Sequence, residues 1–253
     1  MNEKTISRRS LLKLASASTV TAAAVLPSAA RAAQAVQWDE TYEIIVVGAG
    51  GAGMAAAVKA AQKGAKHVVV LEKLNFPGGN TLISQGFINA ADPVRQPKQG
   101  IKDSWQHHAE QTLEAGDFRG QKDRVDVLCR NAYPTIEWLE SLGMQFKPKV
   151  IQIFGALYPR SHVPALPKGQ GYGTVLSKAA KELGVEVRTG MGVEEIIREK
   201  PFEGDVLGVV AKNAKGEIKR IRATRGVVLA AGGFSANKYL RELHDPRVAG
   251  LGT

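Results

Sequence analysis

Tyr42-Glu-Ile-Ile-Val-Val-Gly48-Ala-Gly50-Gly-Ala-Gly53, continued by an apolar run that closes on Glu72, decides the fold of this chain. The run 42–47 predicts a buried strand. The alanine-rich stretch 51–63 lacks proline and predicts a helix that Gly64 can stop, and 67–71 predicts a second strand. Each glycine has a physical task at this spacing. Gly48 permits a tight turn, Gly50 lets backbone approach a pyrophosphate, and Gly53 lets the helix pack close to the sheet. Glu72 follows Gly48 by 24 residues and is placed to accept hydrogen bonds from a ribose. Strand, glycine turn, helix, strand and acid together form the unit that holds the ADP half of a dinucleotide, and the carboxylate disfavours a 2′-phosphate. The alternative is a parallel-sheet turn without a ligand.

Residues 1–32 stand apart from the fold. Ser7-Arg8-Arg9-Ser10-Leu11-Leu12-Lys13 reads as a twin-arginine signal, followed by a weakly apolar stretch to Leu26 and a small-residue cleavage site at Ala30-Arg31-Ala32. The expected product is a periplasmic protein beginning near Ala33. A stable membrane anchor is disfavoured, because the apolar stretch is short, contains Lys13 and is broken by Pro27. The formal charge is +10; the first 32 residues hold five positive charges and one negative, leaving +6 for 33–253. These charges are scattered, which suits a solvated surface or an acidic redox partner rather than nucleic acid. One cysteine, Cys129, excludes an internal disulfide and a cysteine-ligated cluster, and no C-x-x-C-H occurs for a c-type haem.

After Glu72, the glycine pair Gly78-Gly79 with Asn80 and Thr81 offers either a second place for backbone to meet a ligand or an ordinary turn. Segments 101–115 and 123–132 predict helices, and Pro134 is placed as the first residue of another helix through 142. Adjacent His107 and His108 point about 100° apart on a helix, so a solvated face is favoured over a metal pair. The proline-rich segment 146–170 contains Arg160-Ser-His162, which could face a carboxylate or serve a structural loop. A helix over 173–183 and strands over 185–188, 193–198, 206–212, 217–223 and 226–230 follow, with a turn at 213–216. The last strand runs into Ala231-Gly232-Gly233-Phe234, glycines at the carboxyl edge of a sheet.

Three segments together, Val46 to Gly53 with Glu72, Gly78-Gly-Asn-Thr81 through Ala90, and Val227 to Phe234, resemble the fumarate reductase/succinate dehydrogenase flavoprotein family. The nearest likeness is to its exported flavocytochrome c fumarate reductases and urocanate reductases. That resemblance implies an α/β fold, a Rossmann-like FAD-binding domain of the glutathione-reductase type with a β-meander and a helical insertion, incomplete at its C-terminus and occupying 33–253. It implies FAD as cofactor, held by Gly48, Gly50, Ala52 and Gly53 at the pyrophosphate and by Glu72 at the ribose. Asn80, Thr81, Gln85 and Gly86 would lie near the flavin end, Val193 at the adenine, and Ala231 and Gly232 along the dinucleotide. Ser84-Gln85-Gly86-Phe87 departs from a more glycine-rich run in relatives.

The resemblance further implies hydride transfer from flavin to the C=C bond of a small unsaturated carboxylic acid, with electrons from a separate cytochrome or quinol-linked donor. In relatives the substrate histidines, the acid arginine, a mobile capping domain and the closing flavin segment follow the AAGGF-like strand. No catalytic residue is therefore expected in 1–253, and the isolated chain is expected to be inactive. Arg160 and His162 are the only candidates here for gripping a substrate carboxylate. Competing readings are a flavin dehydrogenase or oxidase of the same superfamily, and a non-catalytic FAD-binding remnant or split-chain partner.

Overall fold

The computed structural model describes residues 36–251 apart from residue 249. The twin-arginine signal expected over 1–32 lies outside the described residues. A six-stranded sheet organises the unit that starts at Trp38. Strand β1 (Glu40–Val47) leads through the glycine turn into helix α1 (Gly51–Gln62) and back into β2 (Val68–Leu71), parallel to β1 with Ile44 opposite Val68 and Val47 opposite Leu71. Strands β5 (Glu186–Arg188), β6 (Met191–Lys200), β7 (Glu203–Asn213) and β8 (Ile218–Leu229) complete the order β5-β2-β1-β8-β7-β6.

Alternation along the central strands explains the layering. Val46, Val68 and Val70 face α1 and α5 (Gln170–Glu182), in a core with Met54, Ala57, Val58, Val175, Leu176 and Ala179. Their neighbours Ile45, Val47, Val69 and Leu71 face the opposite way and pack with Val209, Ala211, Ile221 and Ala223 of the meander β6-β7-β8. All four residues of β2 are buried, as a central parallel strand covered on both faces requires.

Several element boundaries differ from the sequence expectation. Residues 217–223 and 226–230 belong largely to one strand, β8. Its first part pairs antiparallel with β7 and its later part parallel with β1, and the register shift opposite Tyr42 to Ile44 absorbs the polar Thr224-Arg225 step. Likewise α4 (Lys122–Ser141) is a single helix with Pro134 inside it, not two helices. Proline deprives only the Arg130 carbonyl of its partner, and both residues lie on the exposed face where water can compensate. Helix α3 (Trp105–Ala115) begins later than 101, at the Ser104 cap, whose Oγ accepts from the His107 N–H at 3.1 Å.

The remaining elements are small: α2 (Gly79–Ile83), the ribbon of β3 (Ile88–Asn89) with β4 (Ser161–His162), and α6 (Lys238–His244). Among the described residues, no helix is long and apolar enough to cross a membrane.

Candidate dinucleotide site

The carboxyl edge of β1 gathers three separate stretches of chain. Gly48 has φ +99°, and a Cβ there would sit 2.5 Å from the Ala230 carbonyl oxygen. The Ala230 N–H donates to the Val47 carbonyl at 2.9 Å, so β8 ends beside the turn and Ala231 and Gly232 emerge exposed at the same edge. A Cβ on Gly53 would lie 1.9 Å from the Gly48 oxygen, so this glycine is demanded by helix–strand packing.

Gly50 is different. It caps α1 in extended backbone, φ −72° and ψ 179°, and a Cβ would meet nothing within 4 Å. Neither strain nor packing asks for glycine here. The open space in front of it is bordered by the first amides of the helix. Those of Ala52 and Gly53 have no intrahelical partner, because the first bond of the helix is Met54 N–H to the Gly50 carbonyl. An anion is favoured at such a helix start.

The Gly78-Gly79 pair closes on this turn. Gly78 bridges Gly50, its N–H donates to the Ala49 carbonyl at 2.9 Å, and a Cβ on Gly79 would stand 3.4 Å from the Gly50 Cα. Thr81 then reaches across: its Oγ1 accepts from the Gly51 N–H at 3.0 Å, which leaves the hydroxyl proton available to a ligand. Gly50, Gly51, Gly78 and Thr81 line one cleft. The neighbouring Asn80 and Gln85 are exposed. Gly86 is buried with φ +78° against the Lys168 carbonyl, and its own carbonyl accepts from Tyr172 Oη at 2.7 Å, so close packing accounts for it. Burial pushes the Tyr172 phenol up to about 12, which keeps it a donor.

At the end of β2, Glu72 is 6% exposed and fixed by backbone: Oε2 accepts from Ala49 N–H at 2.8 Å and Oε1 from Leu74 N–H at 2.9 Å. Each oxygen keeps a second lone pair for a hydroxyl. Met191 N–H donates to the Glu72 carbonyl at 2.8 Å, which brings the start of β6 alongside; Val193, two residues on, is half-buried and paired with Ala211.

Arg160 and His162 are not brought to this edge, and both are tied to internal partners. Arg160 Nε and Nη2 donate to both oxygens of Asp103 at 2.6 and 2.7 Å, and Nη1 donates to Gln111 Oε1 at 2.6 Å. His162 is fully buried; its Nε2 donates to Asp92 Oδ2 at 2.8 Å, and its Nδ1 faces the Arg160 carbonyl at 3.0 Å. Burial opposes charge on both aspartates. Hydrogen bonds from His162 and from Arg95 and Val94 backbone outweigh it at Asp92, and those from Arg160, Gln96 and Ser104 outweigh it at Asp103, so both carboxyls are held below their ordinary range. The pair of histidines on α3 also departs from a solvated face: His107 Nδ1 lies 3.2 Å from Asp103 Oδ1, and His108 Nδ1 is buried. No group of three or more metal-binding side chains occurs among the described residues.

Comparison with known proteins identifies the family. The profile of the family described as FAD binding domain matches residues 43–251. The acrylate reductase flavoprotein subunit of Shewanella woodyi is 30% identical over 253 residues, covering 97% of this chain and 50% of the relative. The urocanate reductase of Eggerthella lenta is 37% identical over 209 residues, covering 81% of this chain and 34% of the relative. Among solved structures, the open conformation of a flavocytochrome c3 fumarate reductase superposes with a TM-score of 0.78 at 31% identity, covering 85% of this chain and 38% of that one. A 3-ketosteroid-Δ4-(5α)-dehydrogenase from Rhodococcus jostii RHA1, bound to 4-androstene-3,17-dione, gives 0.76 at 29% identity, covering 88% and 52%. The chain thus spans half or less of the length of the two curated relatives.

Proposed function

The chain belongs to the FAD binding domain family, and on that premise we propose that it is the cofactor-holding part of an exported oxidoreductase that reduces the C=C bond of a small unsaturated organic acid. FAD is the cofactor of this family, and the residues at the β1 edge fit it. The observation that carries the reading is the unobstructed Gly50 at the start of α1, faced by Thr81 and flanked by Glu72. In this reading the Ala52 and Gly53 amides and the Thr81 hydroxyl bind the pyrophosphate, and Glu72 takes the ribose. Asn80, Gln85 and Gly86 lie toward the flavin, Val193 toward the adenine, and Ala231 and Gly232 along the cofactor. Bound FAD supplies hydride-transfer chemistry that side chains lack.

The substrate class rests on the named relatives, since acrylate, urocanate and fumarate each carry a double bond conjugated to a carboxylate. Arg160 and His162 lie away from the dinucleotide edge and are held by internal partners, which takes them out of the flavin-facing site, so recognition of the acid to be reduced falls to polypeptide other than the described residues. A separate cytochrome or quinol-linked donor would deliver the electrons, and residues 1–32 would direct export to the periplasm. A second reading, a dehydrogenase working in the oxidising direction, is favoured by the likeness to the steroid dehydrogenase.

The test is made on the native exported protein. Its intact mass and absorbance are recorded, its flavin is reduced anaerobically, and acrylate, urocanate, fumarate or a 3-ketosteroid is added. Reoxidation by an unsaturated acid supports the proposal. Reoxidation by none of the acids, with reduction of the oxidised protein by a saturated steroid, would transfer the assignment to the second reading.

A further inference from the structure

A pocket of about 220 Å³ opens between α3 and the loop that precedes β4, and it shares no residue with the cofactor set. Two side-chain amides line it, and in both the oxygen is already used. Ser161 Oγ donates to Asn89 Oδ1 at 2.6 Å, and Arg160 Nη1 donates to Gln111 Oε1 at 2.6 Å. Each amide therefore presents an NH2 group that has no partner among the described residues. Arg160 spends Nε and Nη2 on Asp103, whereas Nη1 donates once and keeps a second N–H. His108 Nδ1 is buried without a partner among the described residues. Tyr158 closes one wall with its ring 4.8 Å from the Arg160 guanidinium and sends its hydroxyl proton away to the Lys102 carbonyl at 2.8 Å.

Such a lining offers amide and guanidinium donors beside one partly compensated cation, and it gives an apolar wall at Ala115, Ala156 and Leu157. The complement is a flat group that only accepts hydrogen bonds, carried on a short apolar stem. Asp103 already counters most of the Arg160 charge, which suits a singly charged ligand better than a phosphate. We propose that this pocket binds a small monocarboxylate, independently of the flavin site. Burial first, and then the Arg160 charge, lower the His108 pKa, so its ring is neutral at pH 7 and reports the arrival of an anion by an upward shift.

The experiment follows the His108 ring by NMR in the isotope-labelled full chain during titration with butyrate and, separately, with butyramide. A saturable His108 shift is expected with butyrate, with roughly tenfold weaker binding of butyramide. The variants Ala156→Phe and Ala115→Phe fill the pocket, from a half-buried and an exposed position, and should abolish the shift while flavin content stays unchanged. No saturable shift, an equal response to the amide, or persistence of the shift in either filled variant would overturn the proposal. Flavin content is read separately, so failure here leaves the FAD assignment standing, and loss of FAD binding would leave this site standing.

Discussion

Removing Arg160 should cost this protein a large share of its stability. Its guanidinium makes a bidentate pair with Asp103, at 2.6 and 2.7 Å, and the two side chains are only 5% and 0% exposed. Arg160→Ala strands a desolvated carboxylate with the Gln96 amide at 2.8 Å, the Ser104 N–H at 2.9 Å and His107 as its remaining partners. Breaking one side of a buried pair costs about 3–5 kcal/mol, out of about 5–15 kcal/mol for a whole domain. The assay is urea unfolding followed by fluorescence of the three tryptophans. Arg160→Ala should lower the midpoint with an unchanged slope. Arg160→Met combined with Asp103→Leu should recover much of the loss, because no charge is then left buried. A cost below about 1 kcal/mol, the range of an exposed pair, would refute the reasoning, as would a double variant whose loss equals the sum of the singles.

Other consequences follow from the same geometry. Asp92 and Asp103 have lowered folded pKa values, so their contribution is fully present above the unfolded value of about 4 and is lost as pH falls through the lower folded ones. Unfolding midpoints measured from pH 6 to pH 2 should fall steeply below about pH 4, and an Asp103→Asn variant should show a shallower decline. Pro134→Ala restores a donor for the Arg130 carbonyl in mid-helix and should stabilise by about 1–2 kcal/mol in the same urea assay; an unchanged midpoint would show that the helix has already adapted. Gly53→Ala should cost about 3 kcal/mol, the upper end for overpacking, because its Cβ would lie 1.9 Å from the Gly48 oxygen; a wild-type melting curve would contradict that packing.

The β1-α1-β2 unit was legible because its signals are local. Apolar runs, the alanine helix, Gly64 and Glu72 all lie within about thirty residues, and each constrains backbone directly. Local signals also misled. Pro134 read as a helix start because proline is at home there, whereas only tertiary packing of Cys129, Ala132, Ile136 and Leu139 shows that the helix runs through it. Gly226 and the Thr224-Arg225 step read as a break in a strand that in fact keeps its pairing with β1 across a register shift at that point. Arg160 and His162 looked available for a ligand because their partners lie 57 and 70 residues away in sequence, and no local pattern announces such pairs. Among the glycines, spacing treats Gly48, Gly50 and Gly53 alike, yet only the three-dimensional arrangement separates Gly48 and Gly53, which the fold requires, from Gly50, which it does not.

That last distinction supplies the most direct test. Gly50→Val introduces bulk into open space at extended backbone, so folding should lose no more than about 1 kcal/mol for the changed helix cap. FAD binding to the purified chain, followed by quenching of flavin fluorescence, should weaken by roughly 100-fold, about 2.7 kcal/mol. A Gly50→Val protein that melts like the wild type and binds FAD equally well would contradict the account, because the pyrophosphate would then lie somewhere other than the start of α1.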